Sequence, residues 1–133
     1  MNRQTINPWT WQEKFGFSQA VLVEASAETL YVAGQGPIDP AGNLVHEHDM
    51  TGQCAQTMDN VEAVLAAGGM TLADVVRYDV HTTSLEDYFM HGAEQVGTRF
   101  AQAGNIPSGA IAAQVVNLAV PGMAVEISVI ACR

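Results

Sequence analysis

The residues of this chain that could do chemistry are few, and their spacing decides what kind of chemistry each could do. The densest group is His46-Glu47-His48-Asp49, four consecutive side chains that in principle ligate a metal. A bare His-x-His beside two carboxylates, with no second cluster to complete a coordination shell, reads instead as a solvated loop leading into a helix, so no metal and no other cofactor is expected. His81 is a single imidazole on a strand pattern, with useful acid–base chemistry but flanked by Thr82 and Thr83 in a setting more often structural than catalytic. Cys54 and Cys132 are two thiols without a motif, read as buried and free.

A more specific arrangement lies at Leu30-Tyr31-Val32-Ala33-Gly34-Gln35-Gly36-Pro37-Ile38-Asp39-Pro40-Ala41-Gly42. Leu30 to Val32 is apolar and β-compatible, Gly34, Gly36 and Pro37 interrupt it, and Asp39-Pro40-Ala41-Gly42 has turn chemistry. Two readings stand: a plain strand-to-turn junction, or a ligand pocket floored by the bare backbone of Gly34.

Composition narrows the partners. The net charge is −9, and the basic residues are five: Arg3, Lys14, Arg77, Arg99 and Arg133. That leaves little with which to neutralise phosphates, so nucleic acid is not expected as a partner. No run approaches a membrane span, and Met1-Asn2-Arg3-Gln4-Thr5 lacks the apolar core of a signal peptide, so a cytoplasmic protein is expected. The chain of 133 residues accommodates one domain, residues 1–133, and its 48% hydrophobic content suggests that some apolar surface meets another subunit.

The elements that must hold these residues follow from periodicity. Residues 1–19 read as an irregular lead-in, with Trp9 and Trp11 packing it down; Ala20 to Glu24 reads as a strand and pairs as a hairpin with the strand beginning at Leu30. From Met50 to Ala67, Cys54, Met58, Val61 and Leu65 recur at helical intervals, and Gly68-Gly69 ends the helix. Thr71-Leu72-Ala73-Asp74 has capping-box spacing, and Val76, Tyr78 and Val80 alternate as a half-buried strand. Ser84 caps a second helix running to Gly104, within which Gly92 and Gly97 suggest close packing. Ala110 to Val116 and Ala124 to Cys132 read as the last strands, with Val125, Ile127 and Val129 on one face and Glu126 and Ser128 on the other. The order β-β-α-β-α-β-β gives an α+β sandwich: one mixed sheet with two helices on a single face.

Taken together, the motifs resemble the Rid/YjgF family. The stretch from Gly34 to Gly42 is similar to its G-Q-x-P-x-D-x-x-G signature, Phe17-Ser18-Gln19-Ala20-Val21 to its opening segment, and Asp59-Asn60-Val61 with Leu65 and Gly69 to its first helix. Ser84-Leu85-Glu86-Asp87-Tyr88 resembles the start of its second helix, and Ala124-Val125-Glu126-Ile127 its closing strand. The resemblance implies a chorismate-mutase-like fold and a homotrimer with small-molecule pockets between subunits. In the deaminating members, an arginine two residues after a proline binds the carboxylate of a 2-imino or 2-enamino acid, and a glutamate on the last strand positions the hydrolytic water.

Carried onto this chain, the glutamate is Glu126, but the arginine position falls on Gly109, and no Arg or Lys lies between Arg99 and Arg133. The family's aromatic hydroxyl is matched by Phe17 and its pocket serine by Ala33, so the implied pocket consists of Phe17, Ala33, Gly34, Gly109 and Ala110, with His91 and Gln114 able to restore some polarity. A pocket that has lost a guanidinium, a phenol and a hydroxyl is poorly suited to an α-carboxylate. The expected function is hydrolysis of an imine, enamine or related small carbonyl compound; the alternative is a trimer that binds a metabolite without turnover. The ribonuclease activity ascribed to some family members fits this charge distribution least.

Overall fold

The computed structural model describes residues 2–133, apart from the side-chain surroundings of residues 109 and 110. Its centre is a four-stranded sheet of order β3-β6-β4-β5, built from β3 (Thr29–Gln35), β4 (Val75–Thr82), β5 (Ser108–Gln114) and β6 (Val125–Cys132). β6 runs antiparallel to both β3 and β4, while β4 and β5 are parallel and joined by a helical crossover. Two helices, α1 (Met50–Ala67) and α3 (Ala93–Gln102), pack on one face. α2 (Leu85–Asp87) and a π-helical turn (Tyr88–Gly92) lead into α3.

The alternation in β6 makes the layers. Val125, Ile127, Val129 and Ala131 are buried under α1 with Met58, Val61 and Leu65, and the intervening Glu126, Ser128 and Ile130 face the other way. Among the described residues no layer covers that second face: Tyr31, the cross-strand partner of Ile130, is 76% exposed. The helix boundaries follow from their caps. Asp49 accepts a hydrogen bond from the Gly52 amide, Gly69 takes φ +74° after α1, and Thr71 and Asp74 close a reciprocal capping box. The Cys54 thiol, sealed in the core, is pushed up to about 12 by burial and then by Asp87, so it remains an unreactive thiol at neutral pH.

Four expectations need correction. The lead-in contains a strand, β1 (Asn2–Ile6), which pairs with β2 (Ala20–Glu24) in a separate two-stranded sheet. β2 therefore does not form a hairpin with β3, which instead lies beside β6, its start tied down by Ala27 and Glu28 amides donating to the Arg133 carbonyl. The polar run Asn2-Arg3-Gln4-Thr5 has no apolar alternation; what fixes β1 is long-range, the Arg3 guanidinium donating to the carbonyls of Ala73 and Val75 and to Asn105 Oδ1. Gly92 does allow a close approach, since a Cβ there would lie 2.6 Å from Cys54 Sγ, but a Cβ at Gly97 would meet nothing within 4 Å. Finally, β5 ends at Gln114, short of Val116.

Asn105 is the polar pin of this arrangement. It is 8% exposed, donates from Nδ2 to the Leu72 and Val75 carbonyls at 2.8 Å each, and accepts from Arg3. Asn105→Ala leaves these buried groups short of partners and is expected to cost about 1–3 kcal/mol in urea unfolding, with the slope of the transition unchanged. A loss below about 0.5 kcal/mol would show that water replaces the amide freely.

Candidate functional site

The open face of the sheet carries a shallow cavity of about 310 Å³ lined by Gly34, His81, Leu118, Glu126 and Ser128. Register explains the cluster. His81 of β4 and Glu126 of β6 are direct cross-strand partners, and Ser128 is the next residue of β6 on that face. On the other side of β6, a bulge between Val32 and Gln35 of β3 brings Gly34 under the Glu126 side chain. A Cβ built on Gly34 would fall 1.9 Å from Glu126 Oε1 and 2.7 Å from Cδ, so only glycine leaves the carboxylate this position. Neither Glu126 nor His81 makes a hydrogen bond or ion pair to another side chain among the described residues, so the carboxylate lone pairs and the imidazole nitrogens are free for water or a ligand. The group thus unites a proton acceptor, an imidazole able to give or take a proton, and a hydroxyl over bare backbone.

Of the residues expected from sequence, Gly34 and Glu126 come together, with Ala33 exposed beside them on β3. Phe17 lies elsewhere, its ring 5.9 Å from Trp11 and 6.5 Å from Phe15. It sits next to the segment before Gly109: the Ser18 amide donates to the Pro107 carbonyl, and the Ser18 hydroxyl to that of Ile106. Gly109 pairs with Tyr78, whereas Glu126 pairs with His81. Gly109 is thus two strand spacings across and three residues along from Glu126, about 10 Å in each direction. The side-chain surroundings expected for Gly109 and Ala110 lie outside the described residues. Gln114 accepts from the Leu85 amide at 2.9 Å and so caps α2, and His91 is exposed on the π-helical turn, where its carbonyl accepts from the Thr51 hydroxyl. Neither lines the cavity around Glu126.

His81, Leu118 and Ser128 are the additions. The alternation of β6 put Ser128 beside Glu126, but the pairing of His81 with Glu126 depends on a register between distant strands that no local pattern reports. The possible metal ligands stay in their loop: Asp49 caps α1, His46 Nδ1 is 4.0 Å from Asp49, and His48 Nε2 is 3.6 Å from Glu47. Among the described residues, no three His, Cys, Asp or Glu side chains converge as a metal site would need. The cations are engaged away from Glu126. Arg99 pairs with Asp59 and Glu62, Arg133 with Glu28, Arg77 with Asp79, Arg3 holds β1, and Lys14 lies over the Phe15 ring.

Residues 12–133 match the family model described as Endoribonuclease L-PSP. The crystal structure of a protein of unknown function of the conserved Rid protein family from Yersinia pestis is 35% identical, with a TM-score of 0.84 and 100% of each chain covered. Curated relatives match over shorter stretches. Protein DfrA of Myxococcus xanthus is 40% identical over 72 residues, 54% of each chain. The 2-iminobutanoate/2-iminopropanoate deaminase of Salmonella typhimurium is 36% identical over 56 residues, 42% of this chain and 43% of its own. The chain spans about half the length of the curated relatives it matches.

Proposed function

The chain belongs to the endoribonuclease L-PSP, or Rid/YjgF, family, and from that premise we propose that it hydrolyses an imine, an enamine or a related small carbonyl compound at the Glu126 site. The observation that supports this reading best is the placement of the Glu126 carboxylate over the bare Gly34 backbone with His81 directly across the strand pair. The reaction R₂C=NH + H₂O → R₂C=O + NH₃ needs a group to take a proton from water and another to protonate nitrogen. Glu126 accepts a proton as the water oxygen bonds to carbon, while His81, as imidazolium, protonates the imine nitrogen. In the resulting carbinolamine the C–N bond breaks, nitrogen takes the proton held by Glu126, and the hydroxyl proton returns to His81. Ammonia and the carbonyl compound leave, and both side chains are back in their starting states.

The substrate class follows from what faces the carboxylate. With Gly109 at the expected arginine position and the cations engaged elsewhere in the chain, an α-carboxylate finds no guanidinium partner at this site, so the preferred substrate is a neutral imine or enamine. The exposed sheet face supports a homotrimer, in which the Phe17 and Gly109 half of one subunit would meet the Gly34 and Glu126 half of the next. The net charge of −9 argues against RNA as substrate. The same lack of a cation favours a second reading, a trimer that binds a metabolite without turning it over.

The deciding assay generates 2-imino acids in place with an amino-acid oxidase, and neutral imines from the corresponding amines, and measures competition with semicarbazide trapping. Acceleration of the neutral imines over the imino acids is the expected result. Equal acceleration of the imino acids would show that a cation reaches the site from a neighbouring subunit. Acceleration of neither would leave the binding reading.

A further inference from the structure

Beyond the Glu126 cavity the open face continues to the end of the sheet, into a second cavity of about 460 Å³. Register places the two end to end. Thr83 follows His81 by two residues and Ala124 precedes Glu126 by two, and the Thr83 amide donates to the Ala124 carbonyl at 3.1 Å, so β4 and β6 keep their pairing one step further. Thr83 and Ala124 line the second cavity, about 7 Å along the strands from His81 and Glu126, and Leu118 stands in the wall of both cavities. The direction is away from Gly109, which pairs with Tyr78, three residues back along β4 from His81.

The wall is fixed in place. Gln53, 1% exposed, donates from Nε2 to the Gly122 carbonyl at 3.0 Å and to the His46 carbonyl at 3.2 Å, and its Oε1 accepts from the Ala124 amide at 2.7 Å. One buried amide thus fastens the segment before β6 to the start of α1, and the cavity is formed before any ligand arrives. Its charge has one sign. Asp87 is half-buried in the lining, and its carboxylate makes no hydrogen bond or ion pair among the described residues. His48, the other ionisable lining side chain, stands 3.6 Å from Glu47, and no Lys or Arg lines either cavity among the described residues. A carboxylate partly withdrawn from water and left without a counter-ion gains from a cation that comes to it.

We propose that the two cavities form one substrate cleft, and that the imine hydrolysed at Glu126 carries a positively charged group at the far end of an aliphatic chain, held by Asp87. The inference rests on the Glu126 reading and names its substrate class. The reacting end stays uncharged, as the missing guanidinium requires, the methylenes lie against Leu118, and the ammonium occupies the second cavity.

The test uses two carbonyl products that differ only in charge: a methyl ketone whose four-methylene chain ends in trimethylammonium, and the same ketone ending in tert-butyl, which has the same shape. Both are titrated into the intact protein by calorimetry and by amide NMR shifts. The cationic ketone is expected to bind about fivefold more tightly, the scale of a partly exposed ion pair. Asp87→Asn should abolish that preference while leaving the tert-butyl ketone unchanged, and Glu86→Gln, at an exposed neighbour outside the lining, should keep it. Salt at about 1 M should shrink the preference with no substitution at all. The matching imines should show the same ratio in KM. The proposal fails if wild type binds the two ketones alike, or if Asp87→Asn leaves them as different as before. A preference lost in Asp87→Asn, with no imine turned over by wild type, would keep the cation subsite and sink the hydrolysis. Turnover of both imines with no preference would sink the subsite and keep the hydrolysis.

Discussion

Glu126→Gln is expected to lower imine hydrolysis by about a hundredfold or more while the protein folds as before. The substitution keeps the shape and one hydrogen-bond acceptor but removes the proton acceptor, and positioned proton transfer is worth roughly 10²–10⁴ in rate. Stability should be unaffected to within about 0.5 kcal/mol, because Glu126 is only half-buried and forms no ion pair among the described residues whose loss would leave a charge stranded. The readout is the initial rate of carbonyl product at saturating neutral imine, beside circular dichroism of the same sample. A variant within a factor of three of wild type would remove Glu126 from the chemistry and with it the catalytic reading.

The second large effect comes from one methyl group. Gly34→Ala places a carbon where Glu126 Oε1 now lies, 1.9 Å away, with Cδ at 2.7 Å and Cγ at 2.9 Å. The cheapest relief is to swing the end of the Glu126 side chain, which is flexible, rather than to move either strand. The fold should therefore lose no more than about 1 kcal/mol, while the carboxylate leaves its position over the backbone, a displacement of the size that costs on the order of 10²-fold in rate. Gly97→Ala serves as the comparison, since its methyl meets nothing within 4 Å. Should Gly34→Ala turn over imines at the wild-type rate, the placement of the carboxylate over Gly34 would not be what sets reactivity.

The parts of the fold that were legible in sequence were those with a local cause. Helix α1 was readable because Cys54, Met58, Val61 and Leu65 share a stripe that ends at a glycine pair. The two faces of β6 were readable because Val125, Glu126, Ile127 and Ser128 alternate without interruption. β1 was not, because a polar strand held by one arginine reaching across some seventy positions has no local signature. The site divided along the same line. Glu126 and Gly34 could be named from motifs, but their meeting depends on a bulge in β3, and His81 enters only through β4–β6 register. Gln114 and His91 had suitable chemistry and are spent on a helix cap and an exposed turn. Residue type suggested them, and within this chain neither lines the Glu126 cavity.

The order of strands in the sheet also has a consequence for how the protein is made. β6 lies between β3 and β4, yet it is the strand furthest along the chain. During vectorial synthesis, at about 5–20 residues per second, β3 and β4 leave the ribosome before the strand that joins them exists. Each then presents an unpaired edge, and α1 has no Ile127 or Val129 to lie on. The same strand that closes the core carries Glu126. Until β6 is made, the chain lacks at once the central strand of its sheet and the carboxylate on the open face.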